Sequence, residues 1–134
     1  MQTAEMIAAR MKTQSTVLTD EFTTSELLSL VGNFDLLIAV RLHASIFAGV
    51  MGVPMVGVSY DPKIDRFLGS IGETAAGDLT SVTTDAVMEK VRVKWESRKD
   101  FKKKNAELLS ELRRLAARNA ELALEFVEKH RKKR

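Results

Sequence analysis

The chain has no cysteine, two prolines, two histidines, one tryptophan and one tyrosine. Without cysteine there is no disulfide scaffold and no thiolate metal site, which fits a reducing compartment. No apolar run approaches the roughly 20 residues a membrane helix requires. No basic-then-apolar leader opens the sequence, so a cytoplasmic location is expected. No GxGxxG or phosphate-binding P-loop occurs, and neither Ser45 nor Ser59 sits in a GxSxG elbow. His43 has no ligand-type neighbours at metal spacing, so no metal is expected.

What is there is enough for one domain. The chain has 134 residues, 45% hydrophobic and 29% charged, the balance of a soluble globular protein. The net charge of +3 is uneven. Residues 98–134 hold 13 Lys and Arg against 6 Asp and Glu, whereas residues 1–97 hold 8 against 12. A basic tail suits a solvated helix face, or contact with nucleic acid or anionic lipid. Its only phenylalanines are Phe101 and Phe126, which make no stacking platform, so nucleic acid is not expected as a partner.

Periodicity divides the chain into alternating elements. Residues 3–12 read as a helix with Met6, Ile7 and Met11 on one face. Residues 15–18 read as a short strand. Thr23 or Thr24 caps the next helix, which Gly32 and Asn33 end. Residues 36–40, Leu-Leu-Ile-Ala-Val, and 55–58, Met-Val-Gly-Val, are continuous apolar runs of the kind buried on both faces of a parallel sheet. Helices are expected over 43–51, 63–71 and 84–97, a short edge strand near Leu79, and one long helix over 100–130. The alternation argues an α/β fold with a Rossmann-like parallel sheet flanked by helices. Two units follow: a partial Rossmann-like domain over 1–97, and a long basic C-terminal helix over 98–134 packing on it or on a partner chain.

Ligands of such sheets bind beyond the carboxyl ends of the strands. There stand Arg41 and His43 after the first apolar run and Lys63 after the second. Three cations beside two helix starts make an anion site: Arg grips a phosphate or carboxylate through two parallel bonds, Lys acts as a point charge and His moves a proton near neutral pH. Each has a plainer reading. Arg41 can pair with Asp35 or Asp61, Lys63 can face solvent, and Asp61-Pro62 suits a helix cap followed by proline. A cation at Lys63 in a first helical turn opposes the helix dipole, which argues for a ligand there.

The stretch from Asp35 through Arg41-Leu42-His43-Ala44, with Gly52-Val53-Pro54 and Ser59-Tyr60-Asp61-Pro62-Lys63, resembles the polysaccharide pyruvyl transferase family, in its bacterial cell-wall branch, over residues 5–75. The resemblance implies the C-terminal half of a GT-B-like fold of two Rossmann-like domains, incomplete here. It implies transfer of a pyruvyl group from phosphoenolpyruvate to two hydroxyls of a polysaccharide or lipid-linked sugar, with release of phosphate and no cofactor. His43 is then the candidate catalytic acid, and Arg41, Lys63, Ser59 and Tyr60 bind substrate. The family pattern has leucine where Ser45 stands, and the family is more than twice as long. The N-terminal domain is therefore an expected partner, and the chain by itself is expected to be inactive. An exposed sheet edge or the C-terminal helix is expected to pair with a second copy. The alternatives are a GT-B sugar-nucleotide glycosyltransferase domain and a non-enzymatic basic helical module.

Overall fold

The two apolar runs form the sheet. In the computed structural model, which describes residues 2–131, strand β1 (Leu37–Ala39) pairs with β2 (Met55–Gly57) in parallel, Leu37 opposite Met55 and Ala39 opposite Gly57. Backbone bonds from Leu37 N–H to Pro54 O and from Val58 N–H to Ala39 O, both 2.9 Å, extend the ladder at each end. Parallel strands need a crossover, and helix α3 (Leu42–Met51) supplies it. Gly52, in the left-handed conformation at φ 71°, ends α3, with its N–H bonded to Ala48 O and Gly49 O. That conformation suits glycine because it lacks a Cβ.

Helices surround this pair. They are α1 (Gln2–Arg10), α2 (Thr24–Val31), α4 (Pro62–Ser70), α5 (Thr84–Glu96), α6 (Arg98–Lys104) and α7 (Ala106–Arg131). Thr23 is the α2 cap, in a reciprocal box in which Glu26 N–H donates to Thr23 Oγ1 and Thr23 N–H donates to Glu26. The core gathers Ala48 of α3, Met55 of β2, Ile64 and Leu68 of α4, Ile71, Val53, Val31 and Phe101. Gly57 is required where it stands: a Cβ there would lie 2.6 Å from Leu68 Cδ1.

Several expectations are corrected. The α/β class and parallel pairing stand, but among the described residues the sheet has only two strands and the fold is mostly helical. Residues 15–18 are irregular, because no strand offers them a ladder. The strand near Leu79 reduces to one parallel bridge, Ser59 to Asp78, with Ser59 N–H bonded to Gly77 O and Leu79 N–H to Ser59 O. β2 is buried on both faces, but β1 is not: Ile38 is 52% exposed while its partner Val56 is 1% exposed. α3 packs on both strands, whereas α5 lies against β2. The long terminal helix breaks at Asn105 (φ −99°, ψ 2°) into α6 and α7, although Asn105 N–H still bonds Phe101 O. Asparagine, whose side chain competes for backbone bonds, is a fitting place for the break. Met6 and Ile7 of α1 and Met11 just beyond it are each at least half exposed.

Two lysines fasten the loop after α4 to α5. Lys94 pairs with Glu73, both side chains largely buried, and its ammonium lies 5.8 Å from the Phe101 ring centre. Lys90 donates to Thr74 O at 2.8 Å; burial lowers its pKa, Glu73 opposing that shift and Lys94 adding to it. Opposite them in character, Ser45 is fully buried and its Oγ has no hydrogen-bond partner.

Glu73→Gln is expected to lower stability by about 3 kcal/mol, because it strands the Lys94 charge, and Glu73→Leu with Lys94→Met to recover most of that loss. Urea denaturation of the three chains measures both. Ser45→Ala is expected to be neutral or to stabilise by about 1 kcal/mol, since it removes an unpaired buried hydroxyl; the same titration shows it.

Candidate functional site

The parallel register places Ala39 beside Gly57. Neighbouring strands lie about 5 Å apart, so the chain leaves the sheet twice at the same carboxyl end. Arg41 follows Ala39 by two residues and Ser59 follows Gly57 by two. Both exits lead straight into helices, α3 at Leu42 and α4 at Pro62. Arg41, His43, Ser59, Tyr60 and Lys63 are thus brought to one end of the sheet by topology.

The two helix starts differ in charge. At α4, Asp61 is the cap: its Oδ1 accepts the Lys63 N–H at 2.9 Å, and Pro62 takes the first helical position, where no N–H is needed. The Lys63 ammonium turns back to Asp61 Oδ2 at 3.4 Å. The bond from Lys63 N–H holds the Asp61 carboxyl below its ordinary value of 3.8, with desolvation opposing and the Lys63 charge assisting. The negative charge that suits this terminus is therefore internal, and Lys63 is paired with it.

At α3 the cap position is Arg41 in extended conformation (φ −90°, ψ 135°), and no side chain caps the helix. Arginine has donors but no acceptor, so it cannot satisfy the first-turn N–H groups. Among the described residues Arg41 forms no ion pair, neither with Asp35 nor with Asp61. His43, at the second helical position, is exposed, as is Arg41. The arrangement offers backbone donors, a fixed cation and an imidazole to an anion from solvent. The cap expected at Asp61 is present, so the open first-turn donors are those of α3.

Ser59 and Tyr60 separate. Tyr60 is 44% exposed, whereas Ser59 is 6% exposed and its Oγ donates to Asp65 Oδ2 at 2.5 Å. This bond joins the end of β2 to the first turn of α4. Asp65 carried no signal in the sequence beyond being an acid in a first helical turn. Ser45, two residues past His43, is fully buried, which removes it as a nucleophile. An open apolar cavity between α3, α4 and α7, about 260 Å³, is lined by none of these residues.

Acidification tests the caps. Asp61, Glu26 and Asp78 all have lowered pKa values, from hydrogen bonds to Lys63, Thr23 and Thr80 respectively. Groups depressed on folding contribute stability that is complete above their unfolded values and lost as pH falls through the folded ones. Stability is therefore expected to decline below the ordinary range of 3.8 to 4.5. Asp61→Asn, which keeps a capping acceptor without the titration, is expected to flatten that decline; thermal unfolding across acid pH measures it.

Comparison with known proteins is narrow. No curated protein and no solved structure matches the chain. A family model does, and its span takes in β1, α3 and β2 and stops at Pro62, one residue short of Lys63. Residues 2–62, which carry Arg41, His43, Ser59, Tyr60 and Asp61, match the model of the polysaccharide pyruvyl transferase family, and over that stretch the chain is similar to a family of transferases.

Proposed function

We propose that the chain is the C-terminal, GT-B-like portion of a polysaccharide pyruvyl transferase that binds phosphoenolpyruvate at the start of α3. The observation that carries this reading is the uncapped first turn of α3, headed by an arginine without an ion-pair partner among the described residues, inside the span that matches the family. Phosphoenolpyruvate presents a phosphate and a carboxylate. A guanidinium grips either through two parallel bonds, and free N–H groups at a helix start take up further oxygens.

His43 is the acid in this reading. The donor methylene takes a proton, a sugar hydroxyl adds to the carbon bearing the phosphate, phosphate leaves, and a second hydroxyl closes the ketal. An imidazole at the second position of α3 would in this reading protonate the methylene or the departing phosphate. Lys63, held by Asp61, sets charge at the rim, and Tyr60 offers an exposed hydroxyl and ring to the acceptor. The acceptor is a cell-wall polysaccharide or lipid-linked sugar, and the setting is cytoplasmic. The N-terminal domain of the family fold supplies the opposite wall of the cleft, without which the isolated chain turns over no donor, because half a site lacks a preorganised cleft.

Titration of the chain with phosphoenolpyruvate, followed by NMR with sulfate as control, is expected to shift Arg41 and His43 more than sulfate does. No selective shift at millimolar donor, alone or with the complementary domain added, would remove the donor site from α3. With that domain present, His43→Ala is expected to abolish ketal formation while phosphoenolpyruvate still binds. Unchanged turnover would show that the imidazole is not the acid.

A further inference from the structure

Ketal formation moves more protons than one acid accounts for. Two sugar hydroxyls each lose a proton; one ends on the donor methylene, which becomes a methyl group, and one on the departing phosphate. An acid delivers protons, but the hydroxyl that adds to the donor carbon needs a base within reach of its own proton. On this chain the carboxylates near the carboxyl end of the sheet are Asp61 and Asp65 of α4 and its cap, and Asp78 in the bridge to Ser59.

These three are not equivalent. Asp61 is committed at both oxygens, Oδ1 to the Lys63 N–H at 2.9 Å and Oδ2 to the Lys63 ammonium at 3.4 Å. Asp78 lies on the side of β2 away from β1, and its Oδ1 accepts the Thr80 N–H. Asp65 is committed at one oxygen: Oδ2 accepts the Ser59 hydroxyl at 2.5 Å, and among the described residues Oδ1 has no hydrogen-bond or ion-pair partner. The residue is exposed. Helical side chains lean toward the helix N-terminus, so Asp65 in the first turn of α4 leans toward the strand end, as its bond to Ser59 records. Ser59 is itself immobile. It is 6% exposed, its N–H bonds Gly77 O at 2.9 Å, and its carbonyl accepts the Leu79 N–H. A carboxylate held at one oxygen by a fixed buried hydroxyl, with the other oxygen open, has the form of an oriented base.

We propose that Asp65 is the catalytic base for the sugar hydroxyl, taking its proton at Oδ1, and that Ser59 is the positioning residue that holds Oδ2. The inference rests on the reading of α3 as the donor site. In the first step the hydroxyl O–H bond breaks toward Asp65 while its oxygen bonds the carbon bearing the phosphate. The double-bond electron pair takes the His43 proton, making the methyl group. In the second step the carbon–oxygen bond to phosphate breaks, and the phosphate leaves with the proton held by Asp65. The second hydroxyl closes the ketal and returns its proton to His43. Both residues end as they began, and the two hydroxyl protons are accounted for.

Asp65→Asn separates base from scaffold, because its amide oxygen still accepts the Ser59 hydroxyl. With the complementary domain present, this variant is expected to lose at least about a hundredfold in kcat. The phosphoenolpyruvate-induced NMR shifts of Arg41 and His43 are expected to stay as in the parent chain. In Asp65→Ala, added formate, a small carboxylate, is expected to restore part of the lost turnover. Ser59→Ala is expected to lower kcat less, about tenfold, and to add little in combination with Asp65→Ala, since the hydroxyl acts through the carboxylate. Turnover of Asp65→Asn within a few-fold of the parent, with the donor shifts retained, would sink this inference alone and assign the base to the other domain. Loss of the donor shifts together with turnover in Asp65→Asn would make Asp65 a structural residue. Absence of donor shifts in the parent chain, with and without the other domain, would remove the reading of α3 and this inference with it.

Discussion

Parallel pairing of Leu37–Ala39 with Met55–Gly57 is the constraint on which the rest of the molecule hangs. Parallel strands cannot be joined by a tight turn, so α3 must cross between them, and α3 therefore begins at the same end of the sheet as α4. Everything packed between those helices follows. Ala48 of α3 and Ile64 and Leu68 of α4 are fully buried, and Gly57 has no side chain because Leu68 occupies its space. A sheet of two strands suffices because helices, not further strands, complete its enclosure, and they do so unevenly. β2 is enclosed, and β1 keeps Ile38 half in water.

The same constraint gives two helix starts of opposite electrostatic character. At α4 the peptide dipole meets an internal carboxylate, Asp61, fixed by the Lys63 N–H and further balanced by the Lys63 ammonium. That terminus is complete in itself. At α3 the corresponding position is an arginine, which cannot accept a hydrogen bond, and its charge finds no partner among the described residues. A terminus without an anion beside a cation without an anion is the physical content of the candidate site. It also separates the roles of Arg41 and Lys63, which as residue types look equivalent.

Polar groups inside the molecule divide similarly. Ser59 is buried with its hydroxyl given to Asp65, and Lys94 is largely buried against Glu73. These bonds hold α4 to the strand end and the 72–81 loop to α5. Ser45 is buried with no partner for its hydroxyl. The first two cases stabilise because both partners are present, and the third is a cost of the ordinary size for an unmet hydroxyl.

Much of this was legible in the residues. Continuous apolar runs marked β1 and β2, Thr23 and Asp61 announced their caps, Gly52 its turn, and Arg41-Leu42-His43 the segment that matches a transferase family. These are local signals, set by periodicity and by the hydrogen-bond chemistry of single side chains. The absence of ladders at 15–18, the shrinkage of the Leu79 strand to a bridge, and the exposure of Ile38 were not legible, because pairing and burial depend on neighbours distant in the chain. Nor was it legible that Asp61, not a ligand, holds Lys63. The sequence by itself determined the two paired strands, the main helices and which residues reach the carboxyl end of the sheet. Only tertiary structure decided which of the cations there is already neutralised and which apolar faces are left in water, because charge pairing and burial are properties of contacts rather than of residues.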